Sequence, residues 1–226
     1  MAQRLSRLIG PALFLAITVA IVVRLDSNGW GSIVWLGMAI AMQVIRAPYA
    51  TRNRDNTIVR QQRQRIEQIL LFAMFATSML IPLLHLVTGV FGFADYSMPT
   101  WATVMASIAV VPGLWLFRRS HQDLGRNWSV TTELRDEHTL VSEGVYARVR
   151  HPMYTALFAL LVLVPVLIPN VIAGFAGLVA FAVLYLIRVS YEEQMMLDQF
   201  GADYRAYMGR TGRLLPRFRL PESVAF

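Results

Sequence analysis

Long apolar runs separated by arginine-rich polar stretches set the plan of this chain. Apolar residues dominate Leu8 to Val23, Gly31 to Ile45, Ile69 to Phe93 and Met98 to Phe117. Each is near the ~20 residues that a helix needs to cross about 30 Å of hydrocarbon. A fifth block, Met153 to Ile187, is long enough for about two spans. Its centre carries Ile168, Pro169 and Asn170, a turn signal that predicts a helical hairpin. The pattern therefore predicts an all-α integral membrane protein of about six transmembrane helices, the last two a hairpin. Residues 1–117 carry helices one to four. Residues 118–226 form a second region, with a polar loop at 118–152, the hairpin at 153–187 and an amphipathic segment at 188–226. A hydrophobic content of 56%, a charged content of 15% and a mean hydropathy of +0.48 fit a membrane protein rather than a soluble domain.

Charge orients the helices. Lysine is absent, so all 21 basic side chains are arginine. Arg4 and Arg7 precede the first span, Arg46 to Arg65 fill the second connection, Arg118 to Arg150 the fourth, and Arg188 to Arg219 follow the last span. Six spans put these segments on one side and leave Arg24 alone on the other, so that both termini are expected in the cytoplasm. Five spans would set the basic tail opposite the basic loops. The net charge of +7 then reflects topology and anionic lipid headgroups, and nucleic acid is discarded as a partner. Cysteine is absent, which excludes disulfides and thiolate metal sites. Arg4 and Arg7 before an apolar core have a signal-peptide outline, but residues 20–26 offer no small-residue cleavage site, so the segment reads as a retained first helix. Abundant Arg, Ala, Val and Leu without lysine point to a GC-rich bacterial source and its inner membrane.

Polar chemistry gathers around the hairpin. The run Arg46 to Arg65 reads as an orientation signal at the headgroups. The run Arg118 to His151 is longer than an idle connection in a compact protein. It ends in Arg148-Val-Arg-His-Pro-Met-Tyr154, directly in front of the hairpin. Beyond the hairpin, Arg188 and Glu192 are four residues apart and share a helix face, while Glu193 is turned about 100° away. Leu197, Phe200, Tyr204 and Tyr207 recur at helical spacing and predict an amphipathic helix on the membrane surface. Taken singly, these features have plain structural roles: Arg188 and Glu192 as an ion pair at a span end, His151 as the residue before a helix that starts with Pro152, and Tyr146 and Tyr154 as interfacial anchors. The hairpin, however, brings the loop and the acidic pair to one cytoplasmic mouth, which predicts a polar pocket there. His85, in the third span, is expected to bond a neighbouring helix or the headgroups, and Pro82 to kink that span. His121, His138 and His151 lack the carboxylate spacing of a zinc site, so no metal is expected.

Residues 138–154, His-Thr-Leu-Val-Ser-Glu-Gly-Val-Tyr-Ala-Arg-Val-Arg-His-Pro-Met-Tyr, followed by a hairpin and then Arg188-Val-Ser-Tyr-Glu-Glu193, resemble the isoprenylcysteine carboxyl methyltransferase family and its phospholipid-methyltransferase relatives. The likeness covers about the last half of the chain, from Leu124 onward. It implies an enzyme that takes S-adenosylmethionine in a cytoplasmic pocket and a lipid-like acceptor from the bilayer. On the matching positions it implies that His138, Thr139, Leu140 and Val141 touch the cofactor, that Tyr146, His151, Pro152, Met153 and Tyr154 complete its wall, that Glu192 also binds it, and that Arg188 faces the substrate. Arg188 and Glu192 are the expected catalytic pair. Ala156 stands where many relatives have glycine.

Methyl transfer from a sulfonium is an in-line displacement, so holding donor and acceptor in line supplies most of the catalysis. A carboxylate acceptor is ionised near neutral pH, and the planar fork of Arg188 suits it. An amine acceptor, as in phospholipid N-methylation, would instead need a base, for which Glu192 and Glu193 are the candidates. Two further classes stay open at this point. Membrane sterol and enone reductases carry a similar Arg-His-Pro…Tyr element and use NADPH, and a non-catalytic lipid-binding protein would retain the fold alone.

Overall fold

The computed structural model describes residues 19, 23–52, 58–61, 64–125, 133–135 and 139–217. The expected first span, Leu8 to Val23, lies almost wholly outside them. After a short helix α1 (Leu25–Asn28) come α2 (Gly31–Arg52), strand β1 (Ile58–Gln61), α3 (Gln64–Phe75), a π-helical turn (Ala76–Leu80), α4 (Ile81–Thr88) and α5 (Thr100–Leu124). Strand β2 (Glu133–Arg135), α6 (Pro152–Leu161), α7 (Val164–Leu167) and α8 (Val171–Arg210) complete the order. The protein is thus an all-α membrane protein with, among the described residues, one short antiparallel ribbon, in which Gln61 pairs with Glu133 and Ile58 with Arg135. This ribbon joins the two long polar connections, so the Arg46 to Arg65 run also has a structural part beside that of an orientation signal.

Among the described residues, four helical segments are long and apolar enough to cross a membrane: Gly31–Ala50, Arg65–Thr88, Thr100–Leu124 and Val171–Arg210. A shorter apolar arm, Pro152–Leu167, forms the first half of the hairpin. Proline explains two irregularities. Pro82 has no N–H to give to the carbonyl of residue 78, and the turn before it is π-helical, closed by the Ile81 N–H reaching back to Ala76. Pro165 likewise cannot continue the ladder of α6, and the arm breaks at residues 162–163 before restarting as α7.

The hairpin turn falls at Ile168 to Asn170, where the sequence predicts it. Asn170 is fully buried and caps α8, accepting from the N–H groups of Ile172 (3.0 Å) and Ala173 (2.8 Å). Its amide donates to Asp95 Oδ1 (2.6 Å) and the Phe91 carbonyl (2.7 Å). Asp95 in turn faces His85 Nε2 at 3.3 Å, so His85 bonds the loop beyond α4 rather than a lipid headgroup. This knot holds the end of the molecule opposite the polar pocket. The core between the helices contains Trp35, Leu86, Leu160, Leu167, Ile168 and Phe181, all nearly inaccessible. Close approach is made by small residues: a side chain at Gly177 would meet Ser78 Cα of the π turn at 3.0 Å. Ala156 is completely buried, so the methyl group at this departure from the family pattern is absorbed in the packing.

At 40 residues, α8 is about 60 Å long, roughly twice the hydrocarbon thickness. Its second half therefore projects past the spans. Gly201, with φ +49°, bends it there. The bend turns Tyr204 and Tyr207 inward, each only 2% exposed. As far as residue 217, the last described one, the segment after the hairpin turns this face onto the protein instead of leaving it free for a membrane surface. Its aromatic face closes on the loop before the hairpin, with the Tyr207 hydroxyl donating to the Tyr146 carbonyl at 2.7 Å.

Candidate functional site

Two chain segments far apart in sequence build the site by pairing. Arg150 N–H donates to Gly212 O (2.8 Å) and His151 N–H to Arg213 O (3.0 Å), next to a parallel bridge between Val149 and Gly212. Thr155 Oγ1 adds a bond to Leu214 O at 2.7 Å. Gly212 is required by close contact, because a Cβ there would lie 1.7 Å from Leu215 O. The loop is also fixed from α5. Asp123 accepts from Val145 N–H at 2.9 Å and pairs with Arg119 at 3.0 Å, anchoring the 3-10 turn Gly144–Ala147 that carries Tyr146.

One carboxylate locks this seam. Glu193, 5% exposed, receives Arg150 Nε at 3.0 Å and Arg213 Nε at 3.1 Å, and faces His151 Nε2 at 3.4 Å. A second contact, from Arg213 Nη2, is shorter still. Arg150 also donates through Nη1 to the Thr211 carbonyl at 2.6 Å. Burial alone would raise the Glu193 carboxyl, but His151, Arg213 and Arg150 outweigh it and hold the group at about 2. Burial pushes the Tyr207 hydroxyl up to about 12 against the pull of Arg150 and Arg210, which keeps it a donor.

Beneath the seam lies a cavity of about 540 Å³. Thr139, Leu140, Val141, Tyr146, His151, Met153 and Tyr154 line it together with Arg188 and Glu192. Nine of the eleven residues singled out from the sequence therefore meet in one chamber. Pro152 sits just behind it as the first residue of α6, with His151 in the non-helical position before it. His138 lies outside the described residues. The Tyr154 hydroxyl donates to Glu192 Oε1 at 2.5 Å, and the same oxygen is 3.2 Å from Arg188 Nη2. His151 stacks on Tyr154 with ring centres 5.5 Å apart, its Nδ1 3.7 Å from Glu192 Oε2. The imidazole thus stands between the two neighbouring carboxylates, Glu192 on one edge and Glu193 on the other.

The opposite wall was not legible as a site. Gln43 and Arg46 of α2 and His121 of α5 reach the chamber, as do Met38 and Met42 of α2, Met74 of α3 and Met79 of the π turn. Unbranched thioethers make an adaptable apolar wall, and their helical spacing is indistinguishable in sequence from that of any buried stripe. Glu67 of α3, 4% exposed, lies 3.3 Å from Arg188 Nη2. An acid just past the Arg46 to Arg65 run gave no spacing signal.

The chamber fits a cationic, nucleoside-sized methyl donor in chemistry as well as in volume: it offers a fixed carboxylate, aromatic faces and a polar loop at one side, and apolar side chains at the other. Comparison with known proteins gives the same direction. The profile of the Isoprenylcysteine carboxyl methyltransferase (ICMT) family matches residues 103–198. Protein-S-isoprenylcysteine O-methyltransferase B of Arabidopsis thaliana is 27% identical over 153 residues, which are 67% of this chain and 78% of that protein. The Homo sapiens Protein-S-isoprenylcysteine O-methyltransferase is 33% identical over 119 residues, 52% of this chain and 42% of the human protein. Among solved structures, the eukaryotic intramembrane Ras methyltransferase ICMT superposes with a TM-score of 0.55 at 19% identity, covering 88% of this chain and 73% of that one, a likeness of fold.

Proposed function

We propose that this chain is a member of the isoprenylcysteine carboxyl methyltransferase family, whose profile it matches over residues 103–198, and that it uses S-adenosylmethionine to methylate a carboxylate oxygen on a membrane-dissolved, isoprenoid-bearing acceptor. The observation that carries the proposal is the shared chamber. Arg188 and Glu192 line it alongside residues 139–141, His151 and Tyr154, while methionines of α2 and α3 line its apolar wall.

S-adenosylmethionine, when bound, supplies an electrophilic methyl group on a positively charged sulfur. The chain's part is to bind and align. Thr139, Leu140, Val141, Tyr146, His151, Met153 and Tyr154 are the proposed donor wall, with Pro152 behind it and His138 as a further contact. Tyr154 holds the Glu192 carboxylate through its hydroxyl, which suits Glu192 to receive an ammonium group. Arg188 supplies the acceptor contact: a guanidinium grips a carboxylate through two parallel hydrogen bonds and keeps it ionised. No proton needs to be removed from such an acceptor at neutral pH, so the chamber can work without a general base. The apolar wall takes the hydrocarbon part of the acceptor. In this proposal the chamber end faces the cytosol, where the soluble donor is.

Isothermal titration of purified protein with S-adenosylhomocysteine tests the donor assignment, and absence of binding removes it. Arg188→Ala and Glu192→Ala, with folding monitored separately, test the roles. Arg188→Ala is expected to keep donor binding and lose turnover, and Glu192→Ala to weaken donor binding. Unchanged turnover in both would reduce the pair to a structural ion pair.

A further inference from the structure

We propose that Glu67 is the positioning residue for Arg188: it pins the guanidinium from α3, behind the chamber wall, so that Arg188 presents a fixed cation to the acceptor carboxylate. The proposal rests on the functional reading above and concerns a residue on a different helix.

Three observations carry it. The first is geometry. Arg188 Nη2 is 3.3 Å from Glu67 Oε1 and 3.2 Å from Glu192 Oε1, so two carboxylates on different helices hold one nitrogen. The second is placement. Glu192 lines the chamber and Glu67 does not, although Arg188, between them, does. Glu67 thus stands outside the lining, in contact with a side chain that belongs to it. The third is burial. Glu67 is 4% exposed and sits within the apolar segment Arg65–Thr88. A carboxylate there carries a heavy desolvation cost, and two apolar side chains would hold α3 against α8 at least as well.

The division of labour follows from the helix geometry. Glu192 is one turn along from Arg188 on α8. Without a second anchor, the flexible arginine side chain would settle along its own helix onto Glu192, the group assigned to the donor. Glu67, from the neighbouring helix, draws the guanidinium across the helix axis and neutralises it from outside the chamber. The guanidinium is then held between two helices and not by its own helix alone.

The test uses the full-length purified protein with three probes: S-adenosylhomocysteine for the donor side, N-acetyl-S-farnesylcysteine as the acceptor acid, and its carboxamide, which cannot form the ion pair. Wild type is expected to prefer the acid over the amide. In Glu67→Gln, a guanidinium displaced by about 1 Å should raise KM and Kd for the acid about ten- to hundredfold, while affinities for the amide and for S-adenosylhomocysteine stay near wild type. Adding Glu67→Gln to Arg188→Ala should change nothing further. The proposal is overturned if Glu67→Gln keeps the acid preference, if its effect adds to that of Arg188→Ala, or if acid, amide and donor binding all fall together with the melting temperature. A wild type that binds no donor, or does not prefer the acid, instead sinks the functional reading beneath it.

Discussion

Replacing Glu193 by glutamine should open the seam between the loop and the tail. The carboxylate is 6% exposed in its side chain, and its partner Arg150 is 7% exposed. Glutamine keeps the shape and removes the charge, leaving Arg150 buried without its counter-ion and Arg213 without its main tie. Breaking a buried pair from one side costs about 3–5 kcal/mol. The titration of Glu193 gives a similar size: its folded value of about 2 lies below the ordinary 4.5, and at ~1.36 kcal/mol per pH unit the difference corresponds to about 3 kcal/mol. Because the folded value is the lower one, this stabilisation is fully present above about pH 4.5 and is lost as the pH falls through 2. Wild type should therefore show an acid-dependent loss of thermal stability in that window, and Glu193→Gln should be less stable at pH 7 and lack that component of the acid slope. Thermal unfolding in detergent between pH 3 and pH 7, with S-adenosylhomocysteine affinity measured alongside, checks both. A Glu193→Gln protein as stable as wild type at pH 7, with the same acid slope, would refute the assignment of Glu193 as the lock.

Other consequences are as specific. Asn170→Ala removes an α8 cap and the bonds to Asp95 and Phe91, and is expected to lower stability by about 2–4 kcal/mol in thermal unfolding, combining a cap of ~1 kcal/mol with two buried hydrogen bonds. Gly212→Ala places a Cβ 1.7 Å from Leu215 O, so the tail must leave its pairing with residues 149–151; titration should show loss of S-adenosylhomocysteine binding while the apolar helices remain folded by circular dichroism. Tyr154→Phe deletes the hydroxyl that holds Glu192 and should weaken donor binding by about 1.5–3 kcal/mol, the usual worth of a hydrogen bond to a charged group, with little change in melting temperature.

The sequence made some of this visible because the signals were periodic or local. The hairpin was legible from the length of the 153–187 block and its Pro169-Asn170 centre, and Asn170 proves to be the buried cap that the turn residues imply. Arg188 and Glu192 were legible as a pair because a helix fixes the meaning of a four-residue gap. Meeting of the loop with the tail was expected from topology, but its lock was not. Glu193 was placed a third of a turn from its neighbour, whereas its partners Arg150 and Arg213 lie 43 and 20 residues away, with no spacing rule to connect them. Glu67 was hidden for the same reason, since its partner Arg188 lies on another helix far along the chain. The tail misled in a different way. Tyr204 and Tyr207 have the spacing of a membrane-surface helix, and only the bend at Gly201 turns that face onto the loop. A glycine in a helical pattern marks where a bend is allowed, but its direction depends on the partner surface.

The most direct measurement is transfer of an isotopically labelled methyl group. Membranes containing the protein are incubated with methyl-labelled S-adenosylmethionine and N-acetyl-S-farnesylcysteine, and the lipid product is treated with mild base. A carboxylate acceptor gives a methyl ester, so the label should enter the prenylated acid, be released as methanol, and vanish when Arg188 is replaced by alanine. No incorporation of label, or a label that stays on the lipid through base as it would on nitrogen, would contradict the account.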